Sequence, residues 1–265
     1  MEDPALFALL LTALAGLSTG LGSAIAFFTH RSNKGFLALS LGFSAGVMVY
    51  VSFVELFAGG QELLAAGLGE AAGEWLAVAA FFGGILLIGL IDRYVPDVGN
   101  PHEAHLVEEM GRDPDTVKLD RLGVMTALAI GIHNFPEGVA TFMSALSDPM
   151  VGVSIAIAIA LHNIPEGISV SVPIYYASGS RKRAFWLSFL SGIAEPIGAV
   201  LAYLVLRPFL TDPVLGAVYA AVAGIMVFIS LDQLIPNAKK YDQGHLAVYG
   251  LIAGMLVMAL TLLFL

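Results

Sequence analysis

Long apolar runs dominate this sequence and restrict what the chain can become. Eight of them, separated by charged residues, glycine and proline, are long enough for a helix to cross a bilayer, which takes ~20 residues. They run near residues 5–29, 36–57, 75–92, 122–143, 151–176, 184–206, 214–236 and 245–265. Because a span in lipid must satisfy its own backbone hydrogen bonds, each run is predicted to be an α-helix.

The composition agrees with a multi-pass membrane protein. Of the 265 residues, 58% are hydrophobic and 12% are charged, whereas soluble domains carry ~25% charged residues. The predicted fold class is therefore an all-α integral membrane protein, with one transmembrane domain over residues 1–265. The sequence has no cysteine, which excludes disulfides and thiolate metal ligands. Its net charge of −9 does not suggest a nucleic-acid partner.

Basic residues are distributed unequally between the two sides of the predicted membrane protein. When the loops are assigned to alternate sides, eleven of the twelve Lys and Arg fall on one side, and only Arg207 falls on the other. The positive-inside rule makes the first side the cytoplasm. With eight spans, both termini then face outward. The longest connection, about 93–121, is cytoplasmic and contains His102 and His105, and 58–74 is predicted to be an acidic outward loop.

Two similar stretches place ionisable residues inside apolar spans. They read GIHNFPEGVA at 131–140 and ALHNIPEGIS at 160–169, and a third carboxylate, Glu195, follows in span six within SGIAEPIG. A charge at the bilayer centre costs ~2.5–3.5 kcal/mol on insertion scales. No lysine or arginine lies inside a predicted span. Protons or a bound cation must therefore balance these carboxylates.

The spacing within the two motifs favours the cation. At 100° per residue, the histidine, asparagine and glutamate of each motif fan across one side of a helix. These residues are His133, Asn134, Glu137, His162, Asn163 and Glu166. Two facing fans predict two adjacent metal sites that share the glutamates, one with mixed nitrogen and oxygen ligands and one with oxygen ligands completed by Glu195. Pro136 and Pro165 are predicted to kink helices four and five, opening each one turn before its carboxylate.

Three classes of function are compatible with a metal site inside a membrane protein: a metal carrier, a cation channel and an intramembrane metalloenzyme. A single motif of this kind is also consistent with polar residues that hydrogen-bond neighbouring helices, but two copies 29 residues apart favour a metal site. An intramembrane metalloenzyme would need HExxH or Glu-x-x-His, and the order here is His-x-x-x-Glu, so no enzyme is predicted. A cation channel with the same ligands remains the alternative to a carrier.

Four motifs, HNFPEG, HNIPEG, GIAEPIG and LDQLIPNA, resemble those of the ZIP (Zrt/Irt-like) family of divalent-metal transporters, in particular its bacterial ZupT-type branch. The resemblance extends over essentially the whole chain. It implies uptake of zinc, and also of iron, manganese, cobalt and cadmium, across the inner (plasma) membrane into the cytoplasm, with no cofactor. It further implies alternating access, in which spans 1, 4, 5 and 6 move as an elevator, and homodimers in the bilayer.

The resemblance also implies a division of the ligands. The first metal is expected at His133, Glu137, His162 and Glu166, and the second at Asn134, Asn163, Glu137, Glu166 and Glu195. Met48, in AGVMVY, corresponds to a contributor to the first site, and Glu55 to an outer capture position shared with span seven. Many members of this family have an acidic residue at the position of Gln233. Hydropathy places Asp232 and Gln233 near the inner surface, whereas the family pattern places them near the entrance.

Overall fold

The computed structural model describes residues 3–26, 34–94, 116–178, 180–209, 211–242 and 244–264. Some side chains inside these ranges, including those of residues 116–130 and of His133, lie outside the description. The segment that contains His102 and His105 also lies outside it. Within the described ranges every regular element is helical, which confirms the predicted all-α class.

The described part of the chain contains helices in the following order. They are α1 (Pro4–Ala26), α2 (Lys34–Val51), α3 (Ala58–Leu68), α4 (Glu70–Tyr94), α5 (Thr116–Ser147), α6 (Pro149–Ser178), α7 (Arg181–Gly192), α8 (Ala194–Leu206), α9 (Asp212–Ile229), α10 (Ile235–Tyr241) and α11 (Leu246–Phe264). A π-helical turn joins α2 to α3 at Ser52–Phe57, and another joins α9 to α10 at Ser230–Leu234. A 3₁₀ turn at Arg207–Phe209 follows α8.

The predicted multi-pass architecture is confirmed. Seven helical stretches in the described part of the chain are long and apolar enough to cross a membrane. The 32-residue α5 contains the remaining predicted span, 122–143. Span two is the longest of the seven, because α2, the first π-helical turn and α3 form a continuous helix over Lys34–Leu68.

The predicted outward loop at 58–74 is wrong. Helix α3 extends to Leu68 and α4 begins at Glu70, so a single residue, Gly69, connects them. Gly69 has a φ of 87°, a conformation that only glycine adopts readily, and this lets the chain reverse in one step. Residues 58–68 consist of three alanines, three leucines, three glycines, one glutamine and one glutamate, and eight of these eleven have high helix propensity.

Capping and proline fix the hairpin formed by α5 and α6. The Oδ1 atom of Asp148 accepts hydrogen bonds from the backbone N–H of Met150 at 2.8 Å and of Val151 at 3.4 Å, which caps α6. Pro149 then occupies the first helical position, where its missing N–H costs nothing. Both helices continue through Pro136 and Pro165, each of which removes one hydrogen bond from its helix.

The helices pack as two bundles. The first bundle consists of α1, α5, α6, α7 and α8, which contact one another extensively. The second bundle consists of α2, α3, α4, α9, α10 and α11, with the two π-helical turns. Contacts between α2 and α6 and between α5 and α9 join them. In terms of the predicted spans, the first bundle contains spans 1, 4, 5 and 6.

Glycines at helical spacing allow close contacts between helices. In the second bundle, a methyl group on Gly46 of α2 would lie 2.0 Å from the carbonyl oxygen of Leu251 in α11. A methyl group on Gly250 of α11 would likewise lie 2.1 Å from the carbonyl oxygen of Leu39. Because a real Cβ cannot approach an oxygen so closely, only glycine permits the backbones of α2 and α11 to touch.

Candidate metal centre

The hairpin of α5 and α6 brings the two HNxPEG motifs together in the interior of the first bundle. Asn134 and Glu137 from α5 and His162, Asn163 and Glu166 from α6 are all between 0 and 3% exposed. Helix α8 adds Glu195, which is fully buried. The structure therefore gathers six of the seven predicted ligands from spans four to six, and the side chain of the seventh, His133, lies outside the description.

One group of ligand atoms surrounds the imidazole of His162. Its Nε2 atom lies 3.2 Å from Oε1 of Glu137 and 3.9 Å from Oε2 of Glu166. Ligand atoms from these three residues all lie within 4.8 Å of one another. Atoms held ~2.0–2.2 Å from zinc at tetrahedral angles would be ~3.3–3.6 Å apart. Both distances from Nε2 lie within a few tenths of an ångström of this range, so the three side chains are candidates to bind one zinc ion.

A second group consists of amide and carboxylate oxygens. The Nδ2 atom of Asn134 donates a hydrogen bond to the carbonyl oxygen of Ser191 at 3.3 Å. The Nδ2 atom of Asn163 donates to the carbonyl oxygen of Ala15 at 3.0 Å and to Oε1 of Glu195. These bonds fix which end of each amide faces the neighbouring backbone, and they leave the two Oδ1 atoms for the interior of the site.

The oxygens of this second group lack donors. Among the described residues, Oδ1 of Asn134, Oδ1 of Asn163 and Oε2 of Glu195 are buried and accept no hydrogen bond. A buried acceptor without a partner costs ~1–3 kcal/mol. An oxygen-coordinated cation would satisfy acceptors of this kind, and burial without a ligand would leave their costs uncompensated.

The glycine after each motif glutamate lets other backbones approach the ligands. A methyl group on Gly138 would lie 2.0 Å from the carbonyl oxygen of Glu195, and one on Gly167 would lie 2.0 Å from the carbonyl oxygen of Thr19. The first contact brings α8, with the carboxylate of Glu195, against α5. The second brings α1 against α6. Glycine at both positions therefore permits these two backbone contacts.

Span six is interrupted just before its ligand, which the sequence analysis did not predict. Helix α7 ends at Gly192, Ile193 forms a turn, and α8 begins at Ala194. Pro196 cannot donate the hydrogen bond that would reach the carbonyl of Gly192, so the helix is weakened at this point. The pair of Gly192 and Pro196 around Glu195 was the signal in the sequence that indicated this break.

Met48 and Glu55 lie on the continuous helix of span two, in the second bundle. Met48 is fully buried. Glu55 lies in the π-helical turn Ser52–Phe57, is partly exposed, and interacts electrostatically with Asp148 at the α5–α6 turn and with Tyr219 of α9. The sequence analysis did not single out Asp148. Its position between the two motifs was visible in the sequence, but its proximity to Glu55 was not.

Asp232 and Gln233 lie in the second π-helical turn, where Asp232 is exposed and Gln233 is buried. Asp232 is thirteen residues after Tyr219 along one continuous helix, or ~20 Å further along its axis at the rise of an α-helix. Because Tyr219 interacts with Glu55, the two acidic residues Glu55 and Asp232 lie at different depths. The position of Asp232 thus agrees with the hydropathy of span seven, which places this residue near the inner end of the span.

Comparisons with known proteins cover nearly the whole chain. The family model described as the ZIP zinc transporter matches residues 96–262, which include both HNxPEG motifs and Glu195. The chain belongs to the ZIP family. A relative from Lysinibacillus sphaericus (strain C3-41), named zinc transporter ZupT, is 60% identical over 268 residues that cover 100% of both chains.

Other ZIP relatives agree over nearly the whole length. The zinc transporter ZupT of Nitratidesulfovibrio vulgaris is 61% identical over 262 residues, covering 96% of this chain and 95% of its own. That of Streptococcus mutans is 59% identical over 256 residues, covering 97% and 96%. The resemblance predicted from the four motifs is confirmed, and the ZIP family is a family of transporters rather than enzymes.

Proposed function

We propose that this ZIP protein takes up zinc into the cytoplasm through the centre between α5, α6 and α8. The observation that carries the proposal is the burial of Glu137, Glu166 and Glu195 at 0 to 3% exposure. No lysine or arginine occurs in residues 122–178 or 184–206 to balance their charge. A divalent cation supplies the missing positive charge and is the natural substrate of such a site. The relatives are named zinc transporter ZupT, which supports zinc as that cation.

The first metal is proposed to bind the group around His162. Imidazole nitrogen with carboxylate oxygens suits zinc, and also iron, manganese, cobalt and cadmium, so we expect selectivity among divalent metals to be broad. Glu137 and Glu166 supply the oxygens. His133, four residues before Glu137, is proposed as the second imidazole ligand. Met48 is proposed to contribute a thioether from the second bundle.

The second metal is proposed to bind the amide oxygens of Asn134 and Asn163 with the carboxylate of Glu195, sharing Glu137 and Glu166 with the first. The absence of donors for these oxygens among the described residues supports it. Two metals that share two carboxylates would balance more of the buried negative charge than one. The site is therefore proposed to be binuclear.

Replacing Asn163 with alanine is expected to lower the bound zinc from two ions per chain to one. The variant removes one amide oxygen of the second group and leaves the atoms around His162 in place. Metal content measured by mass spectrometry on purified, monodisperse protein provides the count. Asn237→Ala in α10 is the matched control and should keep two ions. A wild-type protein that binds only one ion would contradict the binuclear proposal without contradicting zinc binding.

Transport is proposed to occur by alternating access rather than through an open channel. The ligands are almost fully buried, which supports an occluded site, and a channel would conduct through weak, repeated sites. The ligands from spans four to six all belong to the first bundle, which supports an elevator in which that bundle moves against the second. In proteoliposomes, zinc flux should saturate at micromolar metal with slow turnover, and ohmic single-channel currents would favour the channel instead.

Zinc uptake is expected to decline as the external pH falls from 8 to 5. Zinc binds deprotonated carboxylates and neutral imidazole, so protons compete with the metal for His162 and for the glutamates. Initial rates in proteoliposomes with equal internal and external pH measure the effect directly. Rates that stay constant or rise steadily toward pH 5 would contradict the proposal that protons compete with zinc for these ligands.

The remaining features are proposed together. We place the protein in the inner (plasma) membrane as one domain over residues 1–265, with both termini outside and the 93–121 connection in the cytoplasm, and we expect a homodimer. The asymmetry of basic residues supports this orientation.

Glu55 is proposed as the outer capture position, and the electrostatic interaction with Asp148 makes that residue its acidic neighbour.

A further inference from the structure

Span six repeats a short segment of span one. The stretch LAGLSTGLG at 14–22 matches LSGIAEPIG at 190–198, with identical residues in three places and leucine or isoleucine in two more. The second HNxPEG motif repeats the first in the same way, 29 residues later. In both pairs one copy lies in an odd-numbered span and the other in an even-numbered span, so the two copies cross the membrane in opposite directions. Inverted repeats of this kind are related by a pseudo-twofold axis in the membrane plane.

The hydrogen bonds of the two motif asparagines obey this relation. The amide of Asn163 donates to the carbonyl oxygen of Ala15 at 3.0 Å, and the amide of Asn134 donates to that of Ser191 at 3.3 Å. Ala15 and Ser191 are both the second residue of their repeated segment. The segment of span one is therefore placed against α6 as the segment of span six is placed against α5.

Two close helix contacts obey it as well. A methyl group on Gly22 would overlap the carbonyl oxygen of Ile164 in α6, and one on Gly198 would overlap that of Phe135 in α5. Gly22 and Gly198 are the last residues of the two segments, and Ile164 and Phe135 both follow the asparagine of their motif. The repeat in the sequence is thus also a repeat in the packing around the metal centre.

The two segments touch each other where their third residues, Gly16 and Gly192, meet. A methyl group on either glycine would overlap the carbonyl oxygen of the other. A methyl group on Gly16 would also lie 3.4 Å from Cβ of Glu195, and one on Gly192 would lie 3.0 Å from Cβ of Thr19. Glu195 and Thr19 are both the sixth residue of their segment. Thr19 of α1 therefore occupies the position that corresponds to the ligand Glu195 of α8.

The hydroxyl group of Thr19 is buried without a hydrogen-bond partner. The side chain is fully buried, and its Oγ1 atom makes no hydrogen bond to any residue that the structure describes. Thr12 and Ser23, which lie on the same helix, each donate to the carbonyl oxygen four residues earlier. Because burying an unpaired hydroxyl group is unfavourable, this group indicates a polar ligand on its side of the centre.

We propose that Thr19 is a further residue of the metal centre and the uncharged counterpart of Glu195. This proposal rests on the binuclear site proposed above. Glu195 reaches the amide of Asn163, so the same relation directs Thr19 toward the side of Asn134. Because the threonine side chain is shorter than that of glutamate, its hydroxyl group contacts the second metal through a water ligand.

The proposal gives Thr19 a role in specificity and in release. Threonine at this position keeps the number of carboxylates in the centre at three, which balance most, but not all, of the charge of two divalent ions. A fourth carboxylate would hold the metals more tightly and would oppose their release into the cytoplasm.

Replacing Thr19 with valine tests the role of the hydroxyl group. The two side chains have nearly the same shape, so the metal-free protein should keep or raise its unfolding temperature when the unpaired hydroxyl group is removed. Binding of the second zinc ion should weaken about fivefold, the factor that corresponds to one lost hydrogen bond. Isothermal titration calorimetry on the purified full-length protein measures the affinity. The matched control is Thr261→Val in α11, whose hydroxyl group donates to the carbonyl oxygen of Val257 in its own helix.

Replacing Thr19 with aspartate tests whether this position faces the metals. The metal-free protein should unfold at a lower temperature, because a fourth carboxylate is then buried without a counter-charge. Zinc should bind about tenfold more tightly, since bonds to a charged group are stronger than bonds to a neutral one. Zinc flux at saturating metal should fall, because release is slower. Thr261→Asp is the matched control and should not tighten zinc binding.

The wild-type titration separates this assignment from the proposed function. A wild-type protein that binds no zinc would overturn both. If the wild-type protein binds zinc and Thr19→Val binds it with the same affinity, the assignment of Thr19 is overturned and the proposed function stands. Thr19→Asp with unchanged or weaker zinc affinity would overturn the assignment in the same way. The valine variant decides the matter if the aspartate variant does not fold.

Discussion

Replacing Glu137 with alanine should abolish zinc uptake while the protein remains folded in the membrane. Its Oε1 atom lies 3.2 Å from Nε2 of His162, and in the proposed site its carboxylate is shared by both metals. Its loss therefore removes a ligand from each ion. Initial zinc flux in proteoliposomes measures the effect. Glu62→Ala, which removes an exposed carboxylate from α3, is the matched control and should transport at the wild-type rate.

The thermal stability of the metal-free Glu137→Ala protein shows whether Glu137 is a ligand or a structural residue. The metal-free protein holds three carboxylates in its interior, so removing one should leave its thermal stability unchanged or raised. Zinc stabilises a protein that binds it by about 2.7 kcal/mol at a hundredfold excess over Kd, and this increment should be absent from the variant. A Glu137→Ala protein that still gains the full increment from zinc, or that transports normally, would place the metal elsewhere.

Replacing Gly138 with alanine should damage both the fold and the site. The new methyl group would lie 2.0 Å from the carbonyl oxygen of Glu195, and backbone on both helices would have to move apart. Overpacking of this kind costs ~1–3 kcal/mol. Displacement of α8 would also carry Glu195 away from Asn163. We expect a lower unfolding temperature together with weaker zinc binding, measured on the same purified protein.

Gly83→Ala is the matched control for this substitution. Gly83 lies in the middle of α4, and a methyl group there would meet no atom within 4 Å. Alanine in place of a helical glycine should then stabilise the protein by up to ~1 kcal/mol. If Gly138→Ala matched the control in both stability and zinc binding, the close contact between α5 and α8 would have no role in forming the site.

The local features of the site could be predicted from the sequence. Hydropathy identified the spans because the cost of exposing polar backbone to lipid acts on each segment independently. The motif spacing placed histidine, asparagine and glutamate on one side of each helix because helical geometry fixes the angle between neighbours. For the same reason Glu137 and Glu166 could be named as candidate ligands from the sequence alone. The role of His133 stays a prediction, since its side chain lies outside the described structure.

Contacts between helices could not be predicted in this way. Nothing local indicates that the carbonyl of Ala15 in α1 and that of Ser191 in α7 accept hydrogen bonds from the two asparagines and so turn the amide oxygens inward. The proximity of Glu55 to Asp148 was also missed, because the two carboxylates belong to different bundles. The loop predicted at 58–74 was wrong because acidic residues on a helix surface resemble those of a loop when hydropathy alone is considered.

The sequence by itself determined that the chain is a helical membrane protein, and it determined which side chains bear the buried charge. Both follow from free-energy costs that each residue incurs in lipid whatever its neighbours are. Only the tertiary structure decided which carboxylates share an imidazole and which oxygens lack donors. Those properties depend on which helices are in contact, and the packing of all the helices together determines those contacts.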